Sequence, residues 1–172
     1  MNTGDPNESA FLAMLGENRQ KILRICRVYA WMPQDQEDLY QEALFQIWRA
    51  LPSLKDKTFA NTWMYRVTLN TAISFSRKKS SERHARQTAQ EDLKEQLEEG
   101  GQIAAGQSAR VDLLYDAISK LNEVEKAVIT MFLDDLSYEQ IGQVLNLAPS
   151  HVGVLLHRTK KKLSALMKEV PV

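Results

Sequence analysis

Apolar residues recur at helical spacing along most of the chain, and Pro6, Pro33, Pro52 and Pro149 fall where one periodic stretch gives way to the next. Asp5-Pro6-Asn7-Glu8 sets an acidic N-cap, a first-turn proline and a third-position glutamate before the stripe Phe11, Leu15, Ile22, Ile25, Cys26 and Tyr29. A second helix is predicted from about Gln34 to Leu51, with Tyr40, Leu44, Ile47 and Leu51 on one face and Asp38, Glu42 and Arg49 on another. A third runs from about Phe59 to Ser81. There Ala60, Met64, Val67, Thr71 and Phe75 gather on one side, while Arg66, Asn70 and Arg77 lie within about 40° of one another on a different side.

Residues 89–110 break this rhythm. They are acidic, rich in Gln and Ala, and hold three of the seven glycines, although Leu93 and Leu97 would support a short helix. Beyond them Val111, Leu114, Ile118 and Leu121 form a stripe. Asn122-Glu123-Val124-Glu125 then resembles a capping box leading into a helix that ends near Leu133, and Ser137-Tyr138-Glu139-Gln140 is a second box opening a short helix through Ile141, Val144 and Leu145. Asn146-Leu147-Ala148 makes a tight connection, and Pro149 starts a long helix to about Lys168 whose core side carries Val152, Leu156, Thr159, Leu163 and Leu166. The pattern predicts an all-α fold of two small helical domains, residues 1–88 and 111–172, joined by a flexible acidic linker over 89–110. The C-terminal domain reads as a helix-turn-helix.

Composition narrows the class of function. The 172 residues are 44% hydrophobic and 26% charged, ordinary for a soluble globular protein. The longest apolar run is Val28-Tyr29-Ala30-Trp31-Met32, far short of the ~20 residues that span a bilayer, and no signal peptide is expected. The lone Cys26 excludes an internal disulfide and fits a reducing compartment. One Cys and three His do not make a conventional zinc site without carboxylates. A cytoplasmic protein without metal or cofactor is expected.

Lys plus Arg equal Asp plus Glu at 22 each, but unevenly: 13 against nine in residues 1–88, then two against five in 89–110. Self-sufficient nucleic-acid binders are usually basic, with a pI above ~9; here the pI is about 6.8. Any DNA role therefore rests on local patches or on a partner.

Three patches qualify. In the last helix, Ser150, His151, Gly153, Val154, His157 and Arg158 occupy the positions from which a helix-turn-helix reads base edges, and Arg158, Lys160, Lys161 and Lys162 would neutralise phosphates. A helical hairpin with a solvated end would share that pattern, but the capping box, the turn length and four cations in five positions favour DNA. The stretch Thr58–Lys79 interleaves Phe59, Trp63, Tyr65 and Phe75 with Arg66, Arg77, Lys78 and Lys79, a mixture that suits single-stranded DNA. Trp63 and Phe75 at helical spacing read first as core; Arg66, Asn70 and Arg77 form a face that core packing does not need. The second helix sets Asp35, Glu37, Asp38, Gln41 and Glu42 beside Phe45 and Trp48, either a protein-docking face or a solvated acidic face over a Trp-rich core. No nucleophile elbow, phosphate-binding Gly loop or H-E-x-x-H pattern is present, so no catalytic apparatus is expected.

Asp38-Leu39-Tyr40-Gln41-Glu42 through Trp48-Arg49-Ala50-Leu51 resembles the D-L-x-Q-E…W helix of bacterial extracytoplasmic-function (ECF) sigma factors. Phe59 through Lys79 resembles their F-x-x-W-L-Y-R-I-A-x-N…R-R segment. Leu136-Ser137-Tyr138-Glu139-Gln140-Ile141-Gly142 through His157-Arg158-Thr159-Lys160-Lys161-Lys162-Leu163 is similar to their L-S-Y-E-E-I-A…L-H-R-A-R-K-K-L ending. The resemblance implies that Asp35, Asp38, Leu39, Gln41, Glu42, Phe45 and Trp48 dock on the clamp coiled coil of the largest subunit of the RNA polymerase core. It further implies that Thr58, Phe59 and Asn61, with Arg66, Asn70, Arg77, Lys78 and Lys79, recognise and melt the downstream promoter element. Ser150, His151, Gly153, Val154, His157, Arg158 and Lys161 would read the upstream element in duplex form. Catalysis would belong to the polymerase, and an anti-sigma factor is the expected sequestering partner.

Two departures stand out. Gly153, Val154 and Leu155 replace residues that are commonly polar or basic in the family, and Ser74 stands where an Asp is usual. The upstream element would then be read through shape and thymine methyls, or Val154 and Leu155 would form a protein-binding patch. Two other readings stay open: a stand-alone helix-turn-helix regulator that binds duplex DNA as a dimer, and a sigma-like protein that titrates a partner.

Overall fold

The computed structural model describes residues 5–89 and 109–169. Among these residues seven helices follow in order: α1 (Pro6–Tyr29), α2 (Pro33–Ala50), α3 (Ala60–Ala89), α4 (Ala109–Ser119), α5 (Glu123–Leu133), α6 (Tyr138–Leu145) and α7 (Pro149–Lys168), with 3₁₀ turns at Leu51–Ser53 and Lys57–Phe59. No strand occurs among the described residues. The linker between the domains, with its Leu93–Leu97 segment, lies outside them except at its ends.

Local chemistry places most of the boundaries. The Asp5 carboxylate accepts the Asn7 N–H at 3.0 Å and caps α1. Both capping boxes form. Asn122 and Glu125 exchange bonds of 2.9 and 3.0 Å at the start of α5, and Ser137 and Gln140 exchange bonds of 3.1 and 2.9 Å at the start of α6. Helix α3 extends to Ala89 rather than stopping at Ser81, because residues 82–89 hold good helix formers and no Gly or Pro.

The N-terminal lobe packs α1, α2 and α3 around Ile22, Ile25, Leu39, Ile47, Met64 and Leu69. Two faces differ from the periodicity. In α2 the fully buried row is Leu39, Ala43 and Ile47, with Tyr40 and Leu44 at its edge. In α3 it is Met64, Tyr65, Thr68, Leu69 and Ala72, leaving Val67, Thr71 and Phe75 half-buried. The small side chains of Thr68 and Ala72 let helices approach closely, yet a hydroxyl reads as polar in a sequence pattern. Thr68 satisfies that hydroxyl within its own helix, donating to the Met64 carbonyl at 2.8 Å.

The C-terminal lobe closes α4 to α7 over Ile118, Val128, Met131, Ile141, Val152, Leu156 and Leu163. Its turn between α6 and α7 depends on Gly142. A Cβ there would lie 2.4 Å from the Leu147 carbonyl oxygen, while the Leu147 N–H closes on the Gly142 carbonyl at 2.9 Å and Asn146 takes the left-handed conformation at φ 57°. The lobes lie against each other: α1 meets α4 and α5, and α3 meets α6.

Cys26 is 1% exposed, and burial pushes its thiol up to about 12. It therefore stays unreactive toward a disulfide reagent at pH 8 in the native protein and reacts fully in denaturant; labelling of the folded chain would contradict this. Gly142→Val is expected to lower stability by about 1–3 kcal/mol, read as a reduced denaturant midpoint with an unchanged slope.

Candidate nucleic-acid interface and docking face

On α2, Asp38, Gln41, Glu42, Phe45 and Trp48 lie on one exposed side, because Leu39, Ala43 and Ile47 claim the opposite side for the core. Phe45 is 56% and Trp48 40% exposed. The Trp48 indole is held edge-on to Phe11 of α1, centroids 5.2 Å apart and planes at 75°, so a large apolar surface is presented with little rotamer freedom left to lose. Glu42 accepts from the Gln46 amide at 2.8 Å. Two members of the set stand apart. Leu39 is 0% exposed and supports the face from beneath rather than belonging to it. Asp35 is paired with Lys79 at 3.2 Å and with Arg83 at 4.0 Å, which ties α2 to α3.

Between α2 and α3 runs a groove of about 720 Å³, with Asp38 and Glu42 on one wall and Asn70, Ser74 and Lys78 on the other. Ser74 contributes an uncharged hydroxyl to that second wall. Along α3, Arg66, Asn70 and Arg77 are all exposed on one line, as their spacing requires, with Asn70 also lining the groove. Lys79 points elsewhere, toward Asp35, and Tyr65 is buried in the core rather than available for stacking. Burial raises the Tyr65 hydroxyl pKa above its ordinary value, against the opposing field of Arg24.

A second pocket, about 420 Å³, opens where the 3₁₀ turns meet α3 and is lined by Asp56, Phe59, Thr62, Trp63, Arg66 and Gln143 among others. Phe59 is 50% exposed, and Trp63 is half-buried against the core. The Asp56 carboxylate accepts the Thr58 N–H at 2.9 Å, which fixes the turn and holds the Asp56 pKa below its usual range. Asn61 accepts from Asn18 at 3.1 Å at the edge of this region. Aromatic walls beside a guanidinium suit an unpaired base.

The exposed side of α7 gathers Ser150, His151, Val154, His157, Arg158 and Lys161 within about 120° of arc. The basic run is divided. Lys162 pairs with Glu125 at 2.9 Å and Lys160 lies 3.7 Å above the Phe132 ring, whereas Arg158 and Lys161 form no ion pair among the described residues. The Lys162 amine and the Asn122 N–H outweigh partial burial and hold the Glu125 pKa low. Val154 is 48% exposed and Leu155 packs against the core, so the two do not make one apolar patch. Gly153 is a seat for Tyr138: a Cβ there would touch the ring at 3.4 Å. Tyr138 escapes sequence reasoning because α6 carries it beside α7 only once the turn is formed. The same holds for Arg24, Tyr65 and Asp134, which meet across the lobes.

Among the described residues no group of three or more His, Cys, Asp or Glu is placed to hold a metal, and no helix is long and apolar enough to cross a membrane.

Residues 14–82 match the model for Sigma-70 region 2 and residues 112–163 that for Sigma-70 region 4. With both regions matched in chain order over more than half its length, the chain belongs to the sigma-70 family and is an ECF sigma factor. It is 24% identical to the ECF RNA polymerase sigma factor SigW of Bacillus subtilis, covering 95% of this chain and 92% of that one. It is 26% identical to the ECF RNA polymerase sigma-E factor of Escherichia coli, covering 91% and 86%. Among solved structures the fold is similar to CnrH bound to the cytosolic domain of CnrY (TM-score 0.67, 19% identity, 96% and 92% covered). It is also similar to RpoE bound to the anti-sigma factor NepR of Bartonella quintana (TM-score 0.65, 18% identity, 95% and 98% covered). Sigma factors regulate transcription and are not themselves enzymes.

Proposed function

We propose that this sigma factor docks on the RNA polymerase core through α2, opens the downstream promoter element with α3 and the aromatic pocket, and reads the upstream element with α7. The observation that carries this reading is the division of one near-neutral chain into three outward faces of different chemistry. Phe45 and Trp48 amid carboxylates suit a protein, Arg66, Asn70 and Arg77 beside Phe59 suit a separated strand, and the α7 face suits a major groove. Few unpaired cations serve each DNA face, so isolated binding is weak and falls with salt. Attachment to the core makes the two DNA contacts bivalent and multiplies their affinities.

The exposed Val154 offers thymine methyls an apolar surface where the family commonly has a polar or basic side chain. The chain acts in the cytoplasm with the polymerase, which supplies the catalysis, and an anti-sigma factor would hold it in reserve.

Reconstituted transcription tests the reading. Core enzyme plus this chain is expected to initiate at a defined position on a promoter, and neither component does so alone. Trp48→Ala or Glu42→Arg should weaken core binding about 10- to 100-fold with helicity unchanged; core affinity untouched by both changes would refute the docking face. A gel shift separates the stand-alone regulator, which would hold an operator tightly without polymerase. In holoenzyme binding to an upstream-element duplex, Arg158→Ala and Lys161→Ala should each lower the salt slope by about 1, whereas Lys162→Ala should leave it unchanged.

A further inference from the structure

A helix-turn-helix reads base edges from the N-terminal half of its second helix, while its first helix crosses the DNA backbone. On α7, Ser150, Val154, His157 and Lys161 share one exposed side, and Gly153 stands about 40° beyond His157, on the shoulder of that side. Glycine has no side chain with which to read a base, and inside a helix only proline is less favourable. The shoulder is nevertheless not bare. A Cβ on Gly153 would meet the Tyr138 ring at 3.4 Å from Cε2 and 3.8 Å from Cδ2, so the ring lies flush against the glycine. Seated there, Tyr138 is still 42% exposed. A first-turn residue of α6 thus supplies the side chain that this part of α7 lacks.

Local structure fixes the ring in that place. The Ser137–Gln140 capping box starts α6 immediately before Tyr138. Gly142 lets α6 close on the Leu147 carbonyl, which sets how α6 crosses α7, and Ile141, Val152 and Leu156 are buried between the two helices and their neighbours. Tyrosine has two side-chain torsions to order, so a ring already seated loses little freedom on contact. Apolar contact is how a protein recognises the C5-methyl of thymine in the major groove. Glu139, next along α6 and also exposed, disfavours a phosphate beside the ring, so a base is the better target.

We propose that Tyr138 is a specificity-determining residue: its ring, seated on Gly153, contacts the methyl group of a thymine at one flank of the upstream element. Gly153 is a positioning residue, which keeps the shoulder of α7 clear for the ring. The inference rests on α7 being the reading face. Recognition is then shared between two helices, with Val154 meeting one thymine from α7 and Tyr138 meeting another from α6. At 3.4 Å a single methyl on residue 153 would make ordinary contact with the ring, whereas a long side chain would run across it and displace it.

The test binds core polymerase carrying the full chain, at fixed salt, to the promoter at which it initiates. Each upstream-element thymine is replaced in turn by deoxyuridine, which removes only the methyl. One such replacement should weaken binding about two- to fourfold. Tyr138→Phe, which keeps the ring, and Gly153→Ala should preserve that sensitivity, while Tyr138→Ala and Gly153→Lys should abolish it. Val154→Ala should abolish sensitivity at a different thymine. The quantity read is the ratio of thymine to deoxyuridine affinity, which the charge added by Gly153→Lys does not move. An unchanged ratio at every thymine in folded Tyr138→Ala overturns the inference. So does an equal loss on all sequences in Tyr138→Phe, which would make the hydroxyl a phosphate contact. Should Tyr138→Ala fail to fold, Gly153→Lys decides. A scrambled upstream element keeps the two ideas apart. If scrambling weakens binding while no thymine depends on Tyr138, the inference alone is wrong; if scrambling changes nothing, α7 is not the reading face and the inference goes with it.

Discussion

A carboxylate taken fully out of water needs partners, and Asp134 finds them in Arg24 of α1 and Tyr65 of α3. Both partners belong to the other lobe, so a C-terminal helix end is held in the joint between the first and third helices. Much else follows from that placement. It sets the start of α5 against Tyr29, brings Glu123 onto Arg77, and lays α6 along α3 so that Gln143 meets Arg66. Breaking a buried pair leaves an uncompensated charge, which is a larger penalty than the net worth of the pair. The arrangement is therefore selective about how the lobes meet, even though the solvent-screened Arg77–Glu123 pair itself adds little.

Helix existence and order were legible from residue spacing because caps and prolines act locally. Asp5, the Asn122–Glu125 and Ser137–Gln140 boxes and Pro149 all carry out the roles their positions announce. Which side of each helix lies inward was less legible. Thr68 and Ala72 carry little hydrophobic signal, yet they permit the closest packing, so the buried side of α3 is turned away from Val67 and Phe75. Leu39 illustrates the consequence, since a motif position became a core position. Candidate surface residues on a single helix, such as Arg66, Asn70 and Arg77, were readable from arithmetic alone. Their partners were not, because Glu123 and Gln143 are 46 and 77 positions away and nothing local points to them.

The equality of positive and negative charge acquires a physical role in this arrangement. Several carboxylates that cancel the basic residues do so by contact: Asp35 with Lys79, Glu123 with Arg77, Glu125 with Lys162. Cations so paired contribute little long-range attraction for a polyanion. On the proposed function, a chain built this way avoids non-specific adhesion to nucleic acid and draws its affinity from a larger assembly. The aromatic face proposed for docking follows the opposite rule. Trp48 is braced by Phe11 and stays exposed, with its ring already oriented.

Because Cys26 is buried, spin labels can be confined to cysteines introduced at the exposed positions Glu17 and Lys120, one on each lobe. The distance between them, measured by pulsed electron resonance in the free chain and again with core polymerase and promoter DNA, is the most direct measurement. A single short distance that lengthens in the promoter complex is the predicted result. The same distance in both states, or a chain that never joins the polymerase, would contradict it.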